Sequence, residues 1–369
     1  MSYLNYLCQN NVSDSRDQII GTCYTLCPKE EIYLRKREKL VHILEVVGEE
    51  YKLVKSYSRS AADANMAVPR LLRPYKVLKD TVHYLLFDVA NRSDVPLTVV
   101  YDFLNDRLRA VRQDMTIQRL PPEQCMEILE PIIRFHVNFA YRLCDKTINE
   151  FDPVLNRKYL LECIKWFLSC SDEIDKQNKG FNVDSAVLSL ELLRLGESNC
   201  RTERTVCDRV LVESLFILCN MENTEPLMRY LGLPRYLKSN PRLKLAYEIS
   251  ISNLKGNYIR VCRLSRGFCL LTTCAVLLYL PSLQRRSLQV MSAAYNSKQL
   301  SVPTTVLQQW LLFNSVVDVT ECCRHYGLAV DGAVRFNKSA FKCDVNVLPP
   351  KPNSELITSE IKLQNIMTY

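Results

Sequence analysis

The sequence predicts an all-α protein, a right-handed stack of helix pairs followed by a small winged helix. Three observations carry that expectation. Glycine is scarce, with 9 among 369 residues, too few for folds built on many tight turns or glycine-rich phosphate loops. Apolar residues at helical spacing form segments of about 15 to 25 residues separated by short polar breaks. Beyond residue 300 the pattern changes to helix, helix and hairpin. The composition, 47% hydrophobic and 24% charged, is that of a globular chain long enough to bury a core without metal or disulfide staples.

Taken in order, residues 1–20 are polar and read as a flexible N-terminus. Residues 21–300 read as the helical repeat domain, 301–348 as the winged helix and 349–369 as a tail. A long helix is expected from Pro28, with Glu30 and Glu31 at its positive end and Leu40, Leu44, Val47 and Tyr51 repeating along it. A connection rich in small residues, 58–72, leads past Pro69 and Pro74 to a helix at about 75–90. The next runs from Pro96 to Leu120, with Leu104, Leu108, Val111 and Met115 as its core stripe and its charged residues on the other faces. Pro121-Pro122 breaks the chain, and another helix continues to about Cys144. Segments at 154–172, 184–197, 202–222 and 240–255 have the same character, with a polar break at Asp175–Gly180. No clean repeat period emerges, so the units are degenerate. Helices over 302–312 and 315–326, a stop at Gly327 and the Asp331-Gly332 turn complete the winged helix.

The 16 cysteines and 4 histidines form no Cys-x-x-Cys pair and no zinc-finger spacing, so free thiols in a reducing compartment are expected. Cys23 and Cys27 read as packing residues. No nucleotide-binding, nucleophile-elbow or HExxH motif occurs, and no catalytic residue, cofactor or metal is assigned. The start has no signal-peptide pattern. Eighteen uncharged residues, Gly267–Gln284, sit at the short end of a spanning helix but read as a buried helix, with Leu277 in the core and no membrane insertion.

Basic residues number 48 against 40 acidic, a net charge of +8. That permits an anionic partner without demonstrating one. Arg107, Arg109 and Arg112 could meet phosphate, but Asp106 and Arg109 are three apart, so an ion-paired helical face competes. Around the wing, Arg324, Arg335, Lys338 and Lys342 form a basic group on an element that meets nucleic acid in some proteins and dimerises in others.

Three stretches then become recognisable. Gly21 to Arg35 carries Gly-x-Cys, then Cys27-Pro28, then Glu31, Tyr33 and Arg35 at alternate positions. Tyr101 to Asp114 contains Asp106, Arg107, Arg109, Arg112, Gln113 and Asp114. Asn223 to Leu231 continues to Asn257, Tyr258 and Arg263-Leu264. Together they resemble the signatures of the suppressor-of-actin/GANP family, with Leu26 where methionine is usual and Ile32 where a basic residue is common.

The resemblance implies a PCI-type architecture of tetratricopeptide-like repeats capped by a winged helix, and a non-catalytic scaffold. Long members organise messenger-RNA export at nuclear pores. There the domain pairs with a second PCI protein and a small acidic subunit, and adjacent winged helices form a basic nucleic-acid surface. Without the Phe-Gly region and extensions of those members, the chain is similar to the short members associated with centrosome duplication, the spindle and mitotic progression. The corresponding expectations are cytoplasm with centrosome and spindle for the first role favoured by length, and nucleus with nuclear rim and RNA contact for the alternative.

Overall fold

The computed structural model describes residues 19–59, 67–192 and 207–352. The described residues are mostly helical, with two small sheets. The first helix among the described residues is short: α1, Lys29–Arg37, begins at Pro28 and carries Arg35, Lys36 and Arg37 in its last turn. The long helix expected to reach Tyr51 does not form. Lys39 turns left-handed, with φ at 54°, and a 3₁₀ turn follows at Ile43–Glu45. The strands β1, Val46–Val47, and β2, Glu50–Tyr51, then pair across Gly48. Leu40, Val47 and Tyr51 are consequently exposed, and only Leu44 of the predicted stripe is buried.

After a 3₁₀ turn at Pro69–Leu71, α2 spans Tyr75–His83 and widens into a π turn at Tyr84–Asp88. α3, Leu97–Gln118, carries the predicted stripe of Leu104, Leu108, Val111 and Met115 but buries far more, including Arg107, Arg112 and Asp114. It stops at Arg119, which is left-handed with φ at 50°, and Pro121 caps α4, Pro122–Arg142. α5, Pro153–Leu192, passes without interruption through the polar stretch 175–180. Asp, Lys and Gln are compatible with an exposed helix, and a polar run alone does not end one. Here Asp172 and Asp175 bind Arg209 on α6, Arg209–Leu218. The segments expected at 184–197 and 202–222 lie partly outside the described residues, as do most of the N-terminal 1–20 and of the tail 349–369.

The stack continues with α7, Glu225–Gly232, and the single turn α8, Arg235–Lys238. α9, Pro241–Leu254, and α10, Tyr258–Ser265, follow. α11, Leu270–Ala294, takes up the uncharged run and passes through Pro281. α4 packs on α5 and α11, α9 on α6 and α10, and α11 on α6, so one apolar core runs through the stack. Among the described residues no helix is long and apolar enough to cross a membrane. Leu277 corrects the core assignment: it is half-buried, whereas Cys274, Leu283 and Leu288 are sealed.

The C-terminal module is a winged helix. β3, Val302–Pro303, leads into α12, Thr304–Leu311, then α13, Val316–His325. β4, Ala329–Asp331, and β5, Ala333–Arg335, form the hairpin, and the sheet order is β3-β5-β4. Ser315 caps α13 by accepting from the Asp318 N–H at 3.1 Å. Gly327 has φ at +82°, and a Cβ there would lie 2.5 Å from the Ala340 carbonyl oxygen, so glycine is required twice over. The module is fixed to the stack by Gln284, whose side chain donates to the Leu311 carbonyl at 3.0 Å, and by Arg266, which donates to Gln309 at 2.7 Å. The segment Leu348–Lys351 lines a cleft between α11 and α13, with Lys351 3.1 Å from Glu321.

Candidate functional site

The first two signature stretches meet in one buried polar junction. Gly21 donates to Gln118 Oε1 at 2.8 Å, and Thr22 and Cys23 bond the carbonyls of Pro69 and Leu72. Gln118 in turn donates to the Arg73 carbonyl at 2.8 Å. At the centre stands Asp114, fully buried, which accepts from Lys55 Nζ at 2.6 Å and Arg73 Nε at 2.8 Å. Glu31 accepts from the Ser56 N–H and hydroxyl at 2.9 and 2.8 Å. Arg35 donates to the Val54 carbonyl at 3.1 Å and pairs with buried Glu45. Burial opposes ionisation of Glu45, but Arg35, the Val54 N–H and Arg107 outweigh it and hold the carboxyl below its ordinary range.

The arginines of the second signature have distinct fates. Arg107 pairs with Asp106 and with Glu45, so Asp106 serves its immediate neighbour and not Arg109 as the spacing suggested. Arg112 faces Glu162 at 3.4 Å. Arg109 lies between the rings of Tyr57 and Tyr159, 3.9 and 4.9 Å from their centroids. Gln113 donates to the Ser58 carbonyl at 3.3 Å. Cys23 and Cys27 are buried free thiols, and burial pushes Cys27 well above its ordinary value. Tyr33 is exposed beneath Arg37. Among the described residues no cluster of three or more His, Cys, Asp or Glu is placed to hold a metal ion.

The third stretch builds two further joints. Asn257 caps α10 by accepting from the Arg260 N–H at 3.1 Å, after Gly256 at φ +69°. Tyr258 opens that helix. Arg229 clamps two elements, with bonds of 2.7 and 2.8 Å to Asp172 on α5 and 2.9 Å to Glu213 on α6. Burial opposes its charge, yet those two carboxylates prevail and raise its pKa. Arg229 falls within the third signature stretch, Asn223 to Leu231, where its position in the sequence assigns it no task. The available signal was a lone arginine on a short amphipathic helix, which does not reveal its partners.

Around the wing, Arg324, Arg335, Lys338 and Lys342 are all exposed. Arg324 lies in the last turn of α13, and the Lys342 N–H bonds the Tyr326 carbonyl two residues beyond it, at 2.9 Å. Arg335 ends β5 opposite Ala329, and the Lys338 N–H reaches Asn296 at 3.4 Å. Among the described residues none of the four side chains enters an ion pair.

Helices joined through buried ion pairs, with a winged helix presenting exposed cations at one end, define a helical-repeat protein. The chain belongs to the SAC3/GANP family, whose model matches residues 26–332. It is similar to Protein xmas of Drosophila melanogaster, 25% identical over 88% of this chain and 16% of that protein. SAC3 family protein 1 of Schizosaccharomyces pombe is 26% identical over 95% of this chain and 34% of its own length. SAC3 family protein B of Arabidopsis thaliana is 23% identical over 86% of this chain and 18% of its own length. The chain thus spans between 16% and 34% of the length of these relatives.

Proposed function

We propose that the chain is a non-catalytic scaffold that gathers protein partners along its helical stack and reaches RNA through its winged helix, as an adaptor in messenger-RNA export. The wing carries this reading. Arg324, Arg335, Lys338 and Lys342 are exposed and without ion pairs among the described residues, whereas Arg35, Arg107 and Arg112 are engaged by carboxylates inside the stack. Exposed cations able to release counterions are the electrostatic requirement for phosphate contact. A second PCI protein and a small acidic subunit are the partners this reading includes.

A different surface favours a second setting, centrosome duplication, spindle organisation and mitotic progression through protein contacts alone. Tyr33, Leu40, Ile43, Val47 and Tyr51 are exposed around α1 and the β1–β2 hairpin, and exposed apolar and aromatic residues of this kind suit protein docking. Live imaging of the endogenously tagged protein through one cell cycle separates the two. Signal at the nuclear rim throughout interphase supports the export adaptor. Foci at centrosomes or spindle poles without a rim replace it with the mitotic scaffold.

A further inference from the structure

Six cations meet where α1, the 52–59 segment and α3 converge. Five are balanced: Arg35 by Glu45, Lys55 and Arg73 by Asp114, Arg107 by Asp106 and Glu45, and Arg112 by Glu162. The sixth, Arg109, is half-buried and has no carboxylate partner among the described residues. Its guanidinium carbon sits 3.9 Å from the Tyr57 ring centroid and 4.9 Å from that of Tyr159. The two rings hold the planar group in place, while its N–H donors are uncommitted among the described residues.

The surroundings indicate what would use those donors. Leu155 lies one helical turn before Tyr159 on the same side of α5, and both it and Val154 are exposed. A half-buried arginine and tyrosine, backed by buried Tyr159 and with exposed aliphatic side chains one turn away, have the composition of a protein-docking hot spot. Asp102 stands two turns before Arg109 on α3, and among the described residues no cation pairs with it. A nucleic-acid strand would carry its row of phosphates across this carboxylate, and the repulsion disfavours it. A single carboxylate flanked by apolar side chains meets no such obstacle.

We propose that Arg109, gripped by Tyr57 and Tyr159, anchors a docking surface for a protein partner that presents one Asp or Glu side chain between apolar residues. This rests on the scaffold reading and names a contact for it. The test uses the full chain and NMR of the arginine side-chain N–H resonances, with Arg109 assigned through Arg109→Lys. The probe is acetyl-Ala-Leu-Glu-Leu-Ala-amide, with its Gln counterpart as control.

The Glu peptide should shift the Arg109 signal saturably and the Gln peptide should not. In Arg109→Lys, affinity read at the Tyr57 and Leu155 backbone signals should fall about tenfold, as loss of a charge-assisted planar contact implies. Equal response to both peptides, unchanged affinity in the lysine variant, or no shift at millimolar peptide overturns the proposal. A shift caused by oligouridylate in place of the peptide overturns it as well. RNA binding by the wing is measured on the same samples, so failure at Arg109 beside intact RNA binding leaves the preceding reading standing.

Discussion

Replacing Asp114 by Asn removes the one anion that two buried cations share. The side chains of Arg73 and Asp114 are each 0% exposed and that of Lys55 is 5% exposed. Asparagine preserves the shape and can accept one hydrogen bond, but both cations lose their countercharge. Lys55 Nζ keeps the Leu71 carbonyl at 2.6 Å, whereas Arg73 is left with a fixed guanidinium charge and a carbonyl 3.4 Å away, at Leu26. Breaking a buried pair by deleting one partner costs about 3–5 kcal/mol. That is a large share of the 5–15 kcal/mol by which a domain is typically stable. Urea denaturation followed by circular dichroism should show the midpoint fall accordingly. Adding Arg73→Met to Asp114→Asn should recover part of the loss, since the charge that cannot relax is then gone. A loss below about 1 kcal/mol for Asp114→Asn would refute the reasoning, because that is the range of solvent-exposed pairs.

Three other outcomes follow from the same structure. His136 is sealed in α4, its Nδ1 2.7 Å from Asn156 Oδ1, and burial pushes its pKa down to about 3. The unfolded chain therefore holds one more proton between about pH 6.5 and 3, and stability should fall by about 1.4 kcal/mol per unit as pH drops through that window. His136→Gln should flatten the fall between about pH 6.5 and 4.5, above the range where carboxylates such as Glu45 add their own loss; equal slopes in both proteins would count against it. Leu283→Asp should unfold the stack, since the side chain is 1% exposed, while half-buried Leu277→Asp should leave a folded, less stable protein; identical melting of the two variants would contradict this placement. Gly21→Ala puts a Cβ 2.3 Å from the Leu72 carbonyl oxygen, and a cost of about 1–3 kcal/mol is expected in the melting curve. A neutral effect would show that the 21–23 segment can move.

Much of the fold was legible because helical periodicity is a local property. The stripe of Leu104, Leu108, Val111 and Met115 identified α3, and Asp331-Gly332 identified the hairpin, with Gly332 at φ +61°. What failed depended on distant partners. Leu40, Val47 and Tyr51 kept helical spacing, yet Glu45 is drawn inward by Arg35 and Arg107, and the chain turns there. The stretch from Asp175 to Gly180 looked like a break because polarity was taken for a helix end. The strand Val302–Pro303 is too short to announce itself and exists through pairing with β5.

The candidate site followed the same division. The signature residues were identified by resemblance, and the wing cations by their position near a predicted hairpin. Which of the signature arginines meets a carboxylate was not legible, because Glu45 and Glu162 reach the cluster from elsewhere in the chain. Spacing paired Asp106 with Arg109, but side-chain geometry gave that carboxylate to Arg107 and placed Arg109 between aromatic rings.

The most direct test of the scaffold-and-wing account is the salt dependence of binding to single-stranded RNA, measured for the full chain and for Arg335→Ala/Lys338→Ala. Four phosphate contacts predict a slope of log affinity against log salt of about −3, reduced to about −1.5 when two are removed. Binding with an unchanged slope in the double variant, or no binding near physiological salt, would contradict the claim that this wing contacts RNA.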